Sequence, residues 1–354
     1  MFFYLSLIFT TIAGYIAAKC IKVLTGSILF SRLAFALTFT FPLSLNAVSR
    51  FFALNQYVCF FSYFYIGFIF YLAITYILWI LFNFIHKIEC KKFLSIGLLL
   101  ICVLLCYGYK NAGSPILKYI RIPGKNNLKI CFLSDLHVGN IQTKVLLQKT
   151  IKLIKKVNPD LVILGGDTID KFAFSTYKHD FIQTFQQISK LYPTYAVLGN
   201  HEVYSGLEKS RHLMREAKIQ LLEDKSIDAK EYTIIGRLDS SITNRKNIDK
   251  IIKDEIPEWE NRKQDIVVVD HKPDGINESI EKGAILHLSG HTHNGQLFPI
   301  NFITQMLYGE TGALKKFKNT YTYISNGIGF WGPPYRIPYA PEIVVIDISK
   351  YTEK

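Results

Sequence analysis

Charge is scarce in this chain, and one sign of it is nearly missing from the first third. Only 19% of the 354 residues are Asp, Glu, Lys or Arg, against roughly 25% in a typical soluble domain. Within residues 1–110 the sole acid is Glu89, beside eight Lys or Arg. With 49% hydrophobic residues, this composition excludes a disordered chain and a purely soluble one. Cysteines are few and poorly spaced for chemistry. Cys20, Cys59, Cys90, Cys102 and Cys106 lie in the apolar third, Cys131 follows it, and no CxxC occurs. Neither a disulfide framework nor a cysteine zinc site fits. A long basic run is also missing. Residues 111–354 mix 33 basic with 27 acidic groups, so the net charge of +13 points to no nucleic-acid partner. Internal repeats and low-complexity tracts are absent.

What the first third has instead is length without charge. Four stretches read as membrane spans: Phe2–Ala18, Gly26–Val48, Tyr57–Ile85 and Phe93–Tyr109, set against the roughly 20 apolar residues needed to cross the hydrocarbon core. A cleavable signal peptide explains the first but not the three behind it. Lys19 and Lys22, then Lys87, Lys91 and Lys92, fall in the short loops between spans one and two and spans three and four. The positive-inside rule puts those loops in the cytoplasm and the large C-terminal part outside it. No buried acid or histidine relay lies within the spans, so they read as an anchor in the lipid bilayer rather than a transport path. The expected organisation is a multi-pass N-terminal α-helical membrane bundle of about four spans (1–110), a turn-rich linker (111–127), and an α/β domain (128–354).

In the last part, short β-branched runs alternate with amphipathic segments. Strands are predicted at Leu128–Leu133, Leu161–Leu164, Tyr195–Leu198, Tyr232–Ile235, Ile266–Val269, Ala284–Leu288, Thr320–Ser325 and Ile343–Ile348, and helices at Lys144–Val157, Phe181–Leu191 and Leu207–Ala217. Polar residues sit directly after the strands, where open α/β sheets place their ligands. The loops read Ser134-Asp135-Leu136-His137, Gly165-Gly166-Asp167-Thr168-Ile169-Asp170, Gly199-Asn200-His201-Glu202, Asp270-His271 and Gly290-His291-Thr292-His293. Five of the nine histidines are in these five loops. Carboxylate plus imidazole suits Mn, Fe, Co or Zn. Seven or eight such groups are too many for one open metal, so the residues lead to a two-metal centre. Asp170 and Asp274 read as turn or cap residues and His287 as core.

The ordered set D-x-H, G-D, G-N-H-[DE], H and G-H-x-H resembles the calcineurin-like metallophosphoesterase family, and the likeness runs over about residues 128–349. It implies a two-sheet β-sandwich flanked by helices, and two divalent metal ions, Mn first and Fe, Zn or Co as alternatives. By the same resemblance, Asp135, His137, Asp167 and His293 would hold one metal. Asp167, Asn200, His271 and His291 would hold the other, with a metal-bridging hydroxide as nucleophile. The resemblance makes His201 the catalytic acid that protonates the leaving group.

The motifs specify phosphoester hydrolysis but not the ester. Phe298, Phe302, Met306, Leu307, Tyr308, Phe330 and Trp331 form an apolar set that either packs the domain or accepts a lipid chain, with Arg336 as a substrate-phosphate ligand. The expectation is a membrane-anchored phosphodiesterase or pyrophosphatase on a lipid-linked or envelope-related substrate. UDP-diacylglucosamine is one option from a related branch that works on the cytoplasmic side, against the charge bias. The alternatives are a phosphomonoesterase or protein phosphatase, and a non-catalytic membrane sensor that uses the fold to bind.

Overall fold

In the computed structural model, residues 2–34, 56–256 and 264–350 are described. The chain divides into two compact units, one of residues 1–110 with Gly332–Tyr335, the other of 111–331 with 336–354.

The first unit is helical. It holds α1 (Phe2–Thr25) and α2 (Gln56–His86), together with most of α3 (Cys90–Ala112). Phe60–His86 and Cys90–Ala112 are the two helices among the described residues long and apolar enough to cross a membrane. The span expected at Gly26–Val48 lies largely outside the described residues, and α1, over the stretch expected as the first span (Phe2–Ala18), is not one of the two. Two stretches explain why α2 and α3 pack as a hairpin. The Trp79 indole N–H donates to Ile88 O across the turn (3.0 Å), and Phe60 meets Tyr109 edge-on at 6.2 Å. The returning segment Gly332–Tyr335 belongs here, its Tyr335 ring 5.5 Å from Phe64.

The second unit is a sandwich of two six-stranded mixed sheets. The first runs β1 (Ile116–Gly124), β12 (Glu342–Lys350), β2 (Leu128–Leu133), β3 (Leu161–Gly165), β4 (Thr194–Val197), β5 (Gln220–Leu221). The second runs β10 (Leu314–Phe317), β11 (Thr320–Ile324), β9 (Leu286–Ser289), β8 (Asp265–Val269), β7 (Tyr232–Gly236), β6 (Lys225–Ala229). Ile130, Phe132 and Ile163 of the first sheet meet Ile234, Val267 and Leu286 of the second in one dry layer. Fully burying each such side chain contributes about 1.5–3 kcal/mol. The outer face of the first sheet is covered by α4 (Thr143–Val157), α5 (Lys178–Ser189) and α6 (Asn200–Glu216), that of the second by α7 (Ile248–Glu255), and α8 (Ile276–Glu281) sets Ser279 against His287 of β9.

The segment expected as linker, 111–127, contains β1. This strand lies parallel to β12, Ile116 opposite Glu342 through Gly124 opposite Lys350. It buries Ile120 and Ile122 and so is an integral edge of the sandwich.

Candidate metal centre

Five strands end at one place, and each hands a short loop to it. β2 delivers Asp135 and His137, β3 delivers Asp167 and Asp170, and β4 delivers Asn200 and His201 in the first turn of α6. From the other sheet, β8 delivers His271 and β9 delivers His291 and His293. Turning so sharply puts five non-glycine ligands in the left-handed region: Asp135 (φ 57°), His137 (48°), Asp167 (48°), His291 (70°) and His293 (49°). Such backbone costs about 1–3 kcal/mol per residue, and it persists where a site is over-determined by its surroundings. Two glycines answer a need for space instead. A Cβ on Gly290 would collide with Ser134 Oγ and Asp135 Oδ2, and one on Gly199 with Asp167.

The ligand-type atoms gather into overlapping sets. Asp135, His137 and His293 form one, and Asp167, His271 and His291 another, each with its atoms within 4.8 Å of one another. His137, Asp167 and His201 form a third. His137 Nε2 lies 3.0 Å from His293 Nε2, and His271 Nε2 lies 3.1 Å from Asp167 Oδ2. The backbone aims the carboxylates. His291 N–H donates to Asp135 Oδ1 at 3.0 Å, and His201 N–H donates to Asp167 Oδ1 at 2.8 Å. His271 is oriented from behind, its Nδ1 2.9 Å from Gly165 O.

A divalent cation fits this donor set. Asn200 Oδ1 and His271 Nε2 are buried and lack an aligned hydrogen-bond partner, a condition native interiors rarely leave standing. Burial works against a charged His271, yet the Asp167 carboxylate holds its proton on up to about 10. Asp167 in turn, despite burial, is held well below the usual carboxylate range by His271, His137 and His201. Burial and His271 push His291 down, and burial and Arg336 push His293 far down. His291 and His293 are thus favoured neutral and Asp167 ionised, the states in which such groups ligate, while His271 would give up its Nε2 proton on binding a cation.

His201 stands at the rim, and Asp170 links it to the cluster. Asp170 Oδ1 is 2.5 Å from His201 Nδ1, while Oδ2 is 3.2 Å from His137 Nδ1. Burial opposes charge on His201, but the Asp170 carboxylate outweighs it and raises the imidazole to about 9. The same imidazoles bring Asp170 down to about 2 against the effect of burial. Asp170 thus favours the charged form of His201, and Tyr204 (5.6 Å) and Trp331 (6.1 Å) lie beside its ring.

Six of the seven expected metal ligands and His201 come together in these sets, and the seventh, Asn200, opens α6 next to His201 with its Oδ1 buried. Arg336 does not join them as expected. It is fully buried, and every one of its N–H groups faces an acceptor. Nε and Nη2 point at Gly329 O, Nη1 at His293 O and Asn326 O, and Nη2 also at His293 Nδ1. No donor is left for a phosphate oxygen, and the residue instead fixes His293 and the 326–329 loop. Asp270 pairs with Arg245 rather than orienting His271. His287 is fully buried against Ser279.

Two residues do more than the sequence indicates. Asp170, which reads as a turn or cap residue, contacts both His137 and His201. Glu202 reads only as the last member of its motif. Its carboxylate accepts backbone N–H groups from Gly199, Asp167, Thr168 and Ile169 at 2.7–3.0 Å, tying the β3 and β4 loops together. Burial and the Asp167 carboxylate raise it to about 7.

A sequence profile described as calcineurin-like phosphoesterase matches residues 128–295. A protein of Aquifex aeolicus described as an uncharacterized metallophosphoesterase is 30% identical over 236 residues, which span 65% of this chain and 88% of that one. A Danio rerio protein described as a transmembrane protein with metallophosphoesterase domain is 24% identical over 279 residues, 72% of this chain and 62% of its own. Among solved structures, a calcineurin-like phosphoesterase of Bacillus subtilis superposes with a TM-score of 0.34 at 16% identity, covering 56% of this chain and 88% of that one.

Proposed function

This chain belongs to the calcineurin-like phosphoesterase family of metal-dependent hydrolases, and we propose that it cleaves a phosphodiester or pyrophosphate bond in a lipid-linked, envelope-related substrate. The observation that carries the reading is the convergence of five strand-end loops on one buried carboxylate and imidazole cluster, with an imidazole at its rim that Asp170 favours in its charged form. Asp135, His137, Asp167 and His293 would hold one divalent cation, and Asp167, Asn200, His271 and His291 a second, with Mn²⁺ the first choice. When bound, such a pair acidifies water and neutralises phosphoryl oxygens.

The chain's own residues then divide the remaining work. Asp167, which belongs to two of the side-chain sets, would offer its carboxylate to both cations. His201 Nε2 carries the proton that a departing alkoxide needs, and Asp170 supports the charge from the Nδ1 side. Tyr204 and Trp331, both exposed, offer apolar faces beside that proton. The membrane helices favour a lipid-borne ester, since confinement to a bilayer raises encounter with substrates in the same bilayer. We further propose four spans in all, with the catalytic domain outside the cytoplasm, supported by the lysines at 19, 22, 87, 91 and 92.

Detergent-purified full chain tests the reading on bis(p-nitrophenyl) phosphate and p-nitrophenyl phosphate, each with Mn²⁺ or chelator. Mn²⁺-dependent cleavage that favours the diester is expected, with turnover on lipid-linked esters rising as acyl chains lengthen. Faster cleavage of the monoester would turn the assignment to a phosphatase. No dependence on chain length would remove the lipid.

A further inference from the structure

The helix α9 that follows the last ligand loop, Ile300–Tyr308, is inside out. Its inward residues are polar, Asn301 and Thr304, both buried. Its outward residues are Phe302 (55% exposed), Ile303 (58%), Met306 (86%) and Leu307 (71%). A helix on a soluble surface turns its apolar stripe the other way. Phe298 extends the exposed face, its ring 5.6 Å from that of Phe302. The orientation is fixed close to the site. A Cβ on Gly295, two residues after His293, would collide with the Asn301 backbone, and the His291 ring lies 6.3 Å from Tyr308.

Basic residues lie at the end of this face. Leu307, Tyr308, Lys315 and Phe317 line one pocket of about 360 Å³, so the end of α9 and the β10–β11 hairpin are neighbours. From His293 to Asn326 the chain has three lysines (Lys315, Lys316, Lys318) and one acid, Glu310. Phe317, between the lysines, is exposed.

We infer that α9 and the hairpin tip dock on the surface of an anionic lipid bilayer. Phe302, Ile303, Met306, Leu307 and Phe317 enter the boundary between headgroups and acyl chains, and the exposed Lys316 and Lys318 meet lipid phosphates, Lys315 being paired with Glu310. Apolar residues on one face with lysines beside them are the pattern of interfacial helices, and the lysine excess complements anionic headgroups. The chain's own spanning helices keep every copy at a bilayer. A second copy docked face to face by a two-fold axis would bring the same lysines together, which disfavours it. The inference deepens the proposed lipid-borne substrate, because a docked site meets such an ester at the bilayer surface, but its own footing is the exposed apolar face and the lysines beside it.

Spin labelling tests it without relying on hydrolysis. The full chain, with Cys20, Cys59, Cys90, Cys102 and Cys106 replaced and buried Cys131 kept, would carry a nitroxide at Met306→Cys or, as control, at the exposed Lys152→Cys on α4. In nanodiscs of phosphatidylcholine and phosphatidylglycerol, the 306 label should collide with oxygen more often than the control, and with a water-soluble nickel chelate roughly five-fold less. Frequent collision with both would place the face in water, and collision with neither would place it against protein. Either result overturns the inference. As a second arm, Met306→Asp/Leu307→Asp in the native-cysteine chain should lower turnover of a bilayer-borne diester roughly five-fold and leave bis(p-nitrophenyl) phosphate unchanged. Equal loss on both, or on neither, would contradict docking.

Discussion

Asp170 and His201 form a carboxylate–imidazole pair, Oδ1 to Nδ1 at 2.5 Å, and the second oxygen of the same carboxylate holds His137 at 3.2 Å. One side chain thus contacts both the proposed proton donor and a proposed metal ligand. Asp170→Asn should lower turnover on diesters with poor leaving groups roughly 100-fold, the scale of a lost general acid, and much less with p-nitrophenolate leaving. The raised His201 value of about 9 depends on Asp170, so the alkaline limb of the pH–rate profile, where His201 loses its proton, should move to lower pH. An unmoved limb would detach Asp170 from His201.

His201→Ala should act on the same step. Turnover on poor leaving groups should fall roughly 100-fold or more, with bound metal retained. Because His201 also groups with His137 and Asp167, parallel loss of metal would make it a ligand rather than the acid.

Arg336 separates positioning from substrate binding. Arg336→Met strands the carbonyls of Gly329, Asn326 and His293 in a dry interior, a loss of roughly 3 kcal/mol or more. Thermal melting should drop and metal retention weaken. A raised KM at unchanged melting temperature would restore the phosphate-binding role.

His287 supplies a stability term with a definite sign. Burial, aided by Arg237 and Arg245, lowers it from its usual 6.5 to about 3. The unfolded chain takes up a proton below pH 6.5 that the folded chain refuses, so this contribution is fully present above 6.5. It is lost as pH falls from 6.5 towards 3, by about 1.4 kcal/mol per pH unit. His287→Gln should flatten the melting temperature over that range, and an unchanged slope would assign the acid sensitivity elsewhere.

Much of the site was legible because its chemistry is written at strand ends. Leu128–Leu133 and Leu161–Leu164 are read from their runs of apolar residues, and the groups that follow them need no distant partner to be noticed. The residues missed are those whose meaning lies far along the chain. Asp170 meets His201 from 31 positions away. Arg336 is defined by backbone carbonyls, which carry no sequence signal. β1 alternates weakly between turn-rich flanks, and it becomes a strand through β12, over two hundred residues later. Helix α6 begins at Asn200 rather than near Leu207, because Glu202 caps the Gly199 N–H and the kink at Gly206 is absorbed within it. The membrane region was legible in kind, with α2 and α3 close to the expected stretches Tyr57–Ile85 and Phe93–Tyr109.

The central claim is that these loops hold two cations bridged by Asp167. Metal content of the detergent-purified full chain, loaded with Mn²⁺ and freed of excess, tests it by elemental mass spectrometry. The account predicts about two Mn per chain in the wild type and loss of both in Asp167→Ala, as expected when one carboxylate serves both ions. One ion per chain in the wild type, or two retained without Asp167, would contradict it.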